Sequence, residues 1–388
     1  MSLPTDPLHP INRTKTAQNP LEIFKDLPDP RKDRNRQHKL IDIIAIAICA
    51  ILSGADDWVK VAVFGKRKKQ WFEGFLELSN GTPSHDTFDR VFRLLDPNEF
   101  EKRFVQWTEL VADLLPGEVV AIDGKTLRGS HDRSSNMAAI HCVSAFAATN
   151  QLILGQMITD KKSNEITTIP KLLDTLAISG CLVTIDAMGC QKAIAAKIID
   201  MKADYLLALK GNQESLADEV DNFFIQAQAI DFEEIDHVYY KFEEKNRGRQ
   251  ELREVWVIDD IEWLPMQEEW KGLRSIMMVK TERLVRGKLE TDIRYYICSL
   301  PANAEFLKDA ARRHWSIENT CHWVLDVTYQ EDKSRVRKGN GAENLSRLRR
   351  LTLNLLKRDT TSKASIATKR YEAALDDKYR ENLLRNTA

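Results

Sequence analysis

Three acidic residues, Asp123, Asp186 and Glu318, have types and positions that could support metal-dependent chemistry. Asp123 ends the apolar segment VVAID and Asp186 ends CLVTID, so both carboxylates are expected at the ends of buried strands, whereas Glu318 lies in the helical segment RRHWSIENTCHWVLDV. Neighbouring carboxylates repel each other unless a cation lies between them. Their hard oxygen donors favour Mg²⁺ or Mn²⁺ over zinc. Two such ions about 3.5–4 Å apart can activate water and stabilise the leaving oxygen in phosphodiester cleavage.

The elements that must position Asp123 and Asp186 follow from the periodicity after residue 118. Hairpin strands come first and strands alternate with helices afterwards, in the order β-β-β-α-β-α-β-α, which is the element order of the ribonuclease H fold. In that topology the first and fourth strands are neighbours, so the two carboxylates converge although 186 − 123 = 63 residues separate them. The alternative is that each acid caps a helix or forms a turn. We predict an α/β fold with a ribonuclease-H-like catalytic core, built from a mixed five-stranded sheet with flanking helices.

Glu318 has weaker support from the residues alone. On a regular α-helix His322 and Asp326 share its face at i+4 and i+8, with Trp315 nearby. Such a face is not an ordinary apolar core stripe, but a polar surface with a satisfied histidine is the alternative. Asp326 could replace Glu318 as the third acid, and two further rivals lie at the end of the helix, Glu331 and Asp332.

Changes of composition along the chain predict several segments. A polar, proline-containing start is expected to be disordered, and three or four helices with basic clusters follow it. DNA binding is one role for this helical segment, and packing with solvated charged faces is the other. The predicted division is a disordered leader (1–20), a helical N-terminal DNA-binding domain (21–116), a ribonuclease-H-like catalytic domain (117–230 and 301–358), a β-rich insertion (231–300) and a basic C-terminal tail (359–388).

The charge balance excludes a uniformly basic protein. The 388 residues include 57 Lys and Arg and 58 Asp and Glu, for a formal net charge of −1, so any contact with nucleic acid must come from local clusters. Such clusters occur at 31–39, at 66–69 and from Lys333 onward, where there are 15 Lys and Arg against 6 Asp and Glu. The six cysteines contain no CxxC pair, which predicts reduced core residues in a cytoplasmic protein. The apolar run at 40–52 is too short to span a membrane.

Basic side chains near the three acids are candidates for contact with DNA phosphate. Each is a weak candidate by itself, because a basic turn is usually only solvated. The candidates are Lys125 and Arg128 after the first acid, Lys210 after the fifth strand, Arg247 and Arg249 on a turn of the insertion, Arg313, His314 and His322 around Glu318, and Arg335 and Arg337 beyond it.

Several linked segments resemble the DDE transposases of bacterial insertion sequences, specifically the H-repeat-associated (ISAs-type) group. The similar segments are AIDGKTLRGS, TIDAMGCQ, ADYLLALKGNQ, NRGRQELR, YYICSL, RRHWSIENTCHWVLDVTYQED and NLSRLRRLTLNLLKR, and DLPDPRKDRNRQHKLIDIIAIAICAILSGADDW also resembles the N-terminal part of that group. The resemblance covers about residues 20–358. Several motifs in one order are far more specific than any lone acid.

The resemblance implies that Asp123, Asp186 and Glu318 form the metal-binding triad and hold two Mg²⁺ or Mn²⁺ ions. It implies an enzyme that hydrolyses DNA at the element's terminal inverted repeats and uses the exposed 3′-OH to attack target DNA. Such an enzyme would act as a homodimer on DNA, associated with the nucleoid in the cytoplasm. The insertion would grip the transposon ends or a hairpin, and one of its tryptophans could stack a displaced base, with core packing as the alternative for each of the three: Trp256, Trp263 and Trp270.

One pattern of the wider superfamily is absent from the sequence. The superfamily carries Tyr and Arg seven and four residues before the Glu, and Lys seven residues after it, whereas this chain has Ala311, His314 and Leu325 there. Contact with phosphate would then fall to His314 itself or to Arg312 and Arg313. The departure puts the hairpin-forming variant of the chemistry in doubt but leaves the triad unaffected.

Two other functions are compatible with the same residues. The first is a relict or repurposed copy that binds element ends without transposing, although the intact acids argue against simple decay. The second is a metal-dependent nuclease of the same fold that hydrolyses DNA without joining it.

Overall fold

Helices form the N-terminal part of the protein. A computed structural model describes residues 19–131, 138–159, 164–246, 249–285 and 288–385. Of the predicted leader, 1–18 lies outside these residues. The N-terminal helices are α1 (Pro20–Phe24), α2 (Leu40–Leu52), α3 (Trp58–Arg67), α4 (Lys69–Phe72), α5 (His85–Leu94) and α6 (Pro97–Val111).

Local sequence signals explain where these helices begin. The Ser84 side chain accepts a hydrogen bond from the backbone N–H of Thr87 at the start of α5, and Asp96 caps α6 in the same way through Asn98. Such caps satisfy N–H groups that have no partner inside the helix. α2 is buried along almost its whole length because α1, α3 and two helices near the end of the chain, at 341–358 and 366–375, pack against it.

One sheet organises the rest of the described chain. Its spatial order is β3-β2-β1-β4-β5-β9-β8-β7-β6. The nine strands of this sheet are β1 (Val119–Leu127), β2 (Ile140–Ala147), β3 (Leu152–Ile158), β4 (Leu182–Ile185), β5 (Asp204–Leu209), β6 (Val238–Asn246), β7 (Arg249–Ile258), β8 (Ser275–Val285) and β9 (Lys288–Cys298).

The predicted sheet of five strands is only one half of the observed sheet. Within this half, β2 is antiparallel to β1 and β3, whereas β1, β4 and β5 run parallel. β9 then pairs antiparallel with β5, from Leu206 opposite Cys298 to Leu209 opposite Tyr295. The segment predicted as a β-rich insertion therefore extends the central sheet, and the expectation of five strands was too small. This pairing satisfies backbone groups that β5 would otherwise expose at a sheet edge.

Helices cover both faces of the first five strands, namely α7 (Glu165–Leu173), α8 (Lys192–Asp200), α9 (Glu214–Ala229), α10 (Ala304–His314), α11 (Trp323–Val327) and α12 (Gly341–Arg358). Side chains alternate between the faces of β1: Val120 and Ile122 belong to the core that contains α7, α8 and α9, whereas Ala121 belongs to the core that contains α12. α10 packs against Val119 on that second face.

The segment predicted as a basic C-terminal tail contains two packed helices, α13 (Ile366–Leu375) and α14 (Asp377–Arg385). The Arg370 guanidinium donates to the carbonyl oxygen of Ile51 at 2.9 Å, and the Arg380 guanidinium carbon lies 4.2 Å from the centre of the Trp71 ring. Both arginines are buried against the N-terminal helices. Part of the basic surplus after residue 333 therefore stabilises the fold and is not exposed to a partner.

α12 joins the edge of the sheet to the N-terminal helices. The Asn354 amide donates to the carbonyl oxygen of Ile153 at 2.8 Å and accepts from the Ile153 backbone N–H at 2.9 Å. Nearby, the buried Arg347 guanidinium pairs with the Glu101 carboxylate of α6 at 2.6 Å. Asn354 thus bonds backbone groups of Ile153 that would otherwise be free at the edge of the sheet, and α12 covers this part of β3.

All six cysteines are unpaired and buried, as the sequence predicts. Among the described residues, no helix is both long enough and apolar enough to cross a membrane.

Replacing Asn354 by Ala is expected to destabilise the protein by about 2–4 kcal/mol, because two buried backbone groups of Ile153 lose their hydrogen-bond partner. The measurement is the free energy of unfolding from urea denaturation. Asn382→Ala, at an exposed position of α14, is the matched control and should change stability little. Equal effects of the two substitutions would contradict the role given to Asn354.

Asp42, in the first turn of α2, is buried, and its Oδ2 atom has no hydrogen-bond partner within the described residues. Burial raises the pKa of Asp42 to about 6, partly offset by the charge of Lys39. The folded protein therefore holds this proton more tightly than the unfolded chain, and stability is lost as the pH rises through 6. Asp42→Asn is expected to stabilise the protein by about 2 kcal/mol at pH 7 and by almost nothing at pH 4. Thermal unfolding at both pH values, with the exposed Asp218→Asn as control, measures this difference; an equal effect of Asp42→Asn at both pH values would show the account wrong.

Candidate active site

The parallel pairing of β1 with β4 brings Asp123 and Asp186 together. Ile122 lies opposite Ile185 in this pairing, so the next residue of each strand is one of the two acids. The convergence expected from element order is therefore observed. The cap alternative also holds in part for Asp186, whose Oδ1 accepts a hydrogen bond from the backbone N–H of Gly189 at 3.3 Å.

Glu318 reaches the same place from an irregular helix. The sequence predicts one continuous α-helix here, but Ile317–His322 forms a π-helical turn between α10 and α11. A π turn widens the helix and changes where side chains point, and such turns are frequent at functional sites. Glu318 thereby lines a pocket of about 180 Å³ that is also lined by Asp123, Asp186, Lys210, Arg294, His314 and Trp315.

Asp123 is held by His322. The His322 Nδ1 atom lies 3.4 Å from Asp123 Oδ2, and both side chains are largely buried. Burial by itself would raise the pKa of Asp123, but the hydrogen bond and charge of His322, with a smaller contribution from His314, keep it below its ordinary value. The carboxylate is therefore favoured in its ionised form, which is the form that binds a cation.

Asp186 and Glu318 are shifted in the opposite direction. Burial is the main cause that raises the pKa of each, and the negative charge of Asp123 raises both further. The three carboxylates thus destabilise one another's charge, as expected for acids crowded at one pocket. A cation in the pocket would relieve this repulsion.

His314 closes the pocket from the side of α10. Its Nδ1 atom lies 3.1 Å from the Thr184 hydroxyl, which fixes the ring beside β4. Burial lowers the pKa of His314, although the charges of Asp123 and Asp186 oppose this shift. A neutral imidazole is therefore favoured next to the acids.

The side chains do not already form a ligand set. In the part of the chain that the structure describes, no group of three or more His, Cys, Asp or Glu side chains could hold a metal ion as it stands. Asp123 lies next to His322 instead, with 3.4 Å between Oδ2 and Nδ1, and Asp186 accepts a hydrogen bond from the Gly189 backbone N–H. The chemistry of the donors nevertheless fits a hard divalent cation, because three carboxylates border one pocket and two of them have raised pKa values.

The rival acids surround Lys125, which is only 7% exposed. Its ammonium lies 2.6 Å from the Asp326 carboxylate and 3.3 Å from that of Asp332. Glu331 is buried and pairs with Arg350 at 3.0 Å. These acids are therefore occupied by cations of the protein, and contact of Lys125 with DNA phosphate would require its own ion pairs to break.

The other predicted phosphate contacts lie in different surroundings. Lys210 is exposed at the mouth of the pocket, and Arg313 is exposed and donates to the Thr149 hydroxyl at 3.0 Å. Arg128 and Arg335 are exposed away from the pocket, and Arg337 donates to the carbonyl oxygen of Gly129. Arg247 lies outside the described residues, and for Arg249 only the backbone is described, as the first residue of β7.

Next to the acids lies a second groove that the sequence does not predict. A groove of about 510 Å³ lies between β7–β9 and α10, and it shares Arg294 and Trp315 with the acid pocket. The Arg294 guanidinium carbon lies 5.0 Å from the centre of the Trp315 ring, which is 41% exposed. The groove forms because α10 packs against β6 and β7, and such a contact between separate elements is not visible in the sequence.

The tryptophans considered for base stacking mostly pack within the protein. Trp270 is buried, Trp256 stacks on Phe232, and Trp263 stacks on Phe223. Core packing, the alternative stated for them, therefore describes Trp270 and the partly buried Trp256, whereas Trp263 remains 38% exposed.

Comparison with protein families places this arrangement among the transposases. Residues 115–355 match the family described as "Transposase DDE domain", and residues 21–108 match the family described as "DDE_Tnp_1-associated". The first match covers more than half of the chain and contains all three acids.

Relatives match over nearly the whole chain. "Putative transposase YncI" of Escherichia coli O157:H7 is 40% identical over 95% of this chain and 95% of its own length. "H repeat-associated putative transposase YhhI" of Escherichia coli K12 is 39% identical over 94% of this chain and 97% of its own length. A solved structure of the "piggyBac transposase synaptic complex with hairpin DNA" is similar at a TM-score of 0.46 and 11% identity, over 96% of this chain and 82% of that one.

The chain belongs to the DDE transposase family. It is accordingly an insertion-sequence transposase, an enzyme that cleaves DNA and transfers DNA strands. The family in general uses divalent metal ions.

Replacing His322 by Ala is expected to lower the rate of DNA cleavage by about 10- to 100-fold, because Asp123 loses the neighbour that orients its side chain and favours its ionised form. The rate is measured with a labelled DNA duplex at saturating metal concentration. His85→Ala, at an exposed position of α5, is the control and should cut like the parent. Unchanged cleavage by the His322 variant would mean that this contact does not contribute to the site.

Proposed function

We propose that Asp123, Asp186 and Glu318 bind divalent metal on a ribonuclease-H-like core and that the enzyme cuts DNA at the ends of its own element. The exposed 3′-OH then attacks target DNA. The observation that carries the proposal is the β1–β4 register, which puts two acids side by side, together with the π turn that directs Glu318 to the same pocket. The β1–β5 strand order supports the proposed core.

The donor set favours Mg²⁺, with Mn²⁺ as a substitute. Three carboxylates supply hard oxygen ligands, and water can complete the coordination in an open pocket. Two ions, when bound there, would activate the attacking water and stabilise the leaving oxygen. The contribution of the protein is to hold Asp123 ionised through His322 and to keep the pocket beside the neutral His314.

The scissile phosphate would lie between the acids and the nearby cations. Lys210 and Arg294 line the acid pocket and can neutralise phosphate charge. From there the DNA strand would continue past Trp315 along the second groove, which is lined by several cationic side chains, namely Arg253, Arg283, Arg294, Lys308 and Arg312. Most of these are paired with carboxylates of the same sheet, so DNA would compete with existing ion pairs.

The N-terminal helices would supply further contact with DNA. Lys66 and Arg67 are exposed at the end of α3, within one of the basic clusters found in the sequence. Arg31, in the basic cluster at 31–39, is buried and paired with Asp29 at 2.7 Å, so this cluster is less available for contact with DNA. We assign the terminal inverted repeats as the specific DNA partner and a homodimer as the acting form, by extension from the family.

The test is an assay of cleavage and joining on a short duplex that carries an end of the element, with Mg²⁺, with Mn²⁺ or with EDTA. The proposal expects cut ends and joined products only when metal is present. Cut DNA without joined products would identify a nuclease. Binding without any cleavage would identify an end-binding regulator.

Asp123→Asn, Asp186→Asn and Glu318→Gln are each expected to reduce cleavage at least about 1000-fold, because each removes an ionised ligand while keeping the size of the side chain. Asp326→Asn is the matched control, since this rival acid shares the helical segment but pairs with Lys125. It should retain most of the activity, and circular dichroism should show all four variants folded. Full activity of the Glu318 variant with loss in the Asp326 variant would reverse the assignment of the third acid.

A further inference from the structure

One edge of the central sheet is open in the part of the chain that the structure describes. At the other edge α12 covers β3 through Asn354, whereas β6 is the last strand of the sheet and pairs on one side only, with β7. No described residue outside β7 forms a backbone hydrogen bond with β6. The described side chains of β6 are all exposed or only partly buried. Such an edge presents a row of free N–H and C=O groups that another strand can bind.

α10 holds β6 in place from one face of the sheet. The Lys308 ammonium lies 4.6 Å from the ring centres of both Tyr240 and Phe242, and Arg312 pairs with Glu244 at 2.9 Å. These three residues of β6 share a face, because residues two apart in a strand point the same way. The strand is therefore anchored through its side chains while its backbone edge stays accessible.

Two side chains of opposite charge lie on the other face of β6, two residues apart. Lys241 and Glu243 are exposed, and neither forms an ion pair with another described residue. Charged side chains on an edge strand discourage indiscriminate pairing. They still permit pairing with a strand that carries the same charges in reverse order. An antiparallel copy of β6 is such a strand.

The sequence of β6 selects one register for this pairing. Outward backbone groups recur at every second residue, so two identical antiparallel strands can pair only with a two-fold axis on a residue. Phe242 is the middle residue of β6, and an axis there pairs the whole strand and sets each Lys241 opposite the Glu243 of the other copy. An axis on Lys241 or on Glu243 would instead set like charges opposite each other, which is destabilising.

We infer that β6 is an interface between two copies of this chain, in which the strands pair antiparallel about a two-fold axis at Phe242 and Lys241 of each copy pairs with Glu243 of the other. The same surface of both copies forms the contact, as in most homodimers. Opposite residues of an antiparallel pair share a face, so α10 and the acid pocket that His314 of this helix lines lie on the same side of the joined sheet in both copies. Two active sites on one side can act on two DNA ends that are held together. The inference deepens the proposed homodimer and rests on that proposal.

Exchange of the two charges tests the inference, with the molar mass measured by sedimentation of the full-length protein, both free and bound to a short duplex that carries an end of the element. Lys241→Glu sets acid opposite acid at both positions, and Glu243→Lys sets cation opposite cation. Each variant should raise the dissociation constant of the dimer about tenfold or more. A mixture of the two variants should recover the parental affinity, because an acidic edge then meets a basic edge. The double variant should dimerise like the parent.

Glu219→Lys is the matched control, because Glu219 is exposed on α9 and the substitution makes the same change of charge as Glu243→Lys. It should dimerise like the parent. Single variants that both dimerise like the parent, or a mixture that stays monomeric, would overturn the inference.

A disulfide at the two-fold axis tests the register independently. Paired Cα atoms lie about 4.5–5.5 Å apart in an antiparallel sheet, a distance that a disulfide can bridge. Phe242→Cys is therefore expected to give a disulfide-linked dimer on mild oxidation, and the six native cysteines are buried and should contribute little. Tyr371→Cys, at an exposed position of α13, is the control and should give far less. Equal cross-linking by the two variants would contradict the register.

The outcomes separate this inference from the proposed function. A dimer that forms equally in the parent and in both single charge variants uses another surface, so the inference fails and the proposed homodimer stands. A parent that is monomeric both free and on DNA contradicts the inference and the proposed homodimer together. The metal-dependent cleavage lost in Asp186→Asn is measured separately and does not depend on either result.

Discussion

The parallel pairing of β1 with β4 is the constraint on which the site depends. It places Ile122 opposite Ile185 and therefore puts Asp123, within β1, beside Asp186, just beyond the end of β4, where the two negative charges repel each other. Burial supplies apolar surroundings on both faces of these strands, so the charges of the acids interact strongly. The two neighbouring carboxylates are therefore unfavourable without a cation, and a bound cation would make the arrangement favourable.

A second set of buried charges surrounds Lys125, in the same strand as Asp123. Lys125 is two residues beyond Asp123 in β1, and its ion pair with Asp326 ties β1 to the helix that follows the π turn. Asp332 bonds both the Lys125 ammonium and the backbone N–H of Arg128, so the next loop is tied to the same strand. These contacts span the sheet and the helical layer. The basic residues beside the first acid therefore hold elements of the site together, and any contact that they make with DNA is secondary to this role.

Much of the core could be predicted because its signals are local. The strands and helices from Val119 to Ala229 follow from alternating and helical patterns, and so does the position of Asp186 at the end of β4, whereas Asp123 lies in the middle of β1 and not at its end as expected. The pairing of β9 with β5 could not be predicted, since it joins residues far apart in sequence. The π turn could not be predicted either, because no Pro or Gly marks it. Buried arginines such as Arg350 look like solvated surface residues in the sequence, because their acidic partners are not at helical spacing from them.

The central claim is that the three carboxylates converge on a divalent cation. Anomalous diffraction from crystals of the protein grown with Mn²⁺ tests it most directly. The account predicts strong anomalous density between Asp123, Asp186 and Glu318, with oxygen atoms of all three at ligand distance, and loss of that density in the Asp186→Asn protein. Mn²⁺ bound only elsewhere, or density at the pocket that persists unchanged in the Asp186 variant, would contradict it.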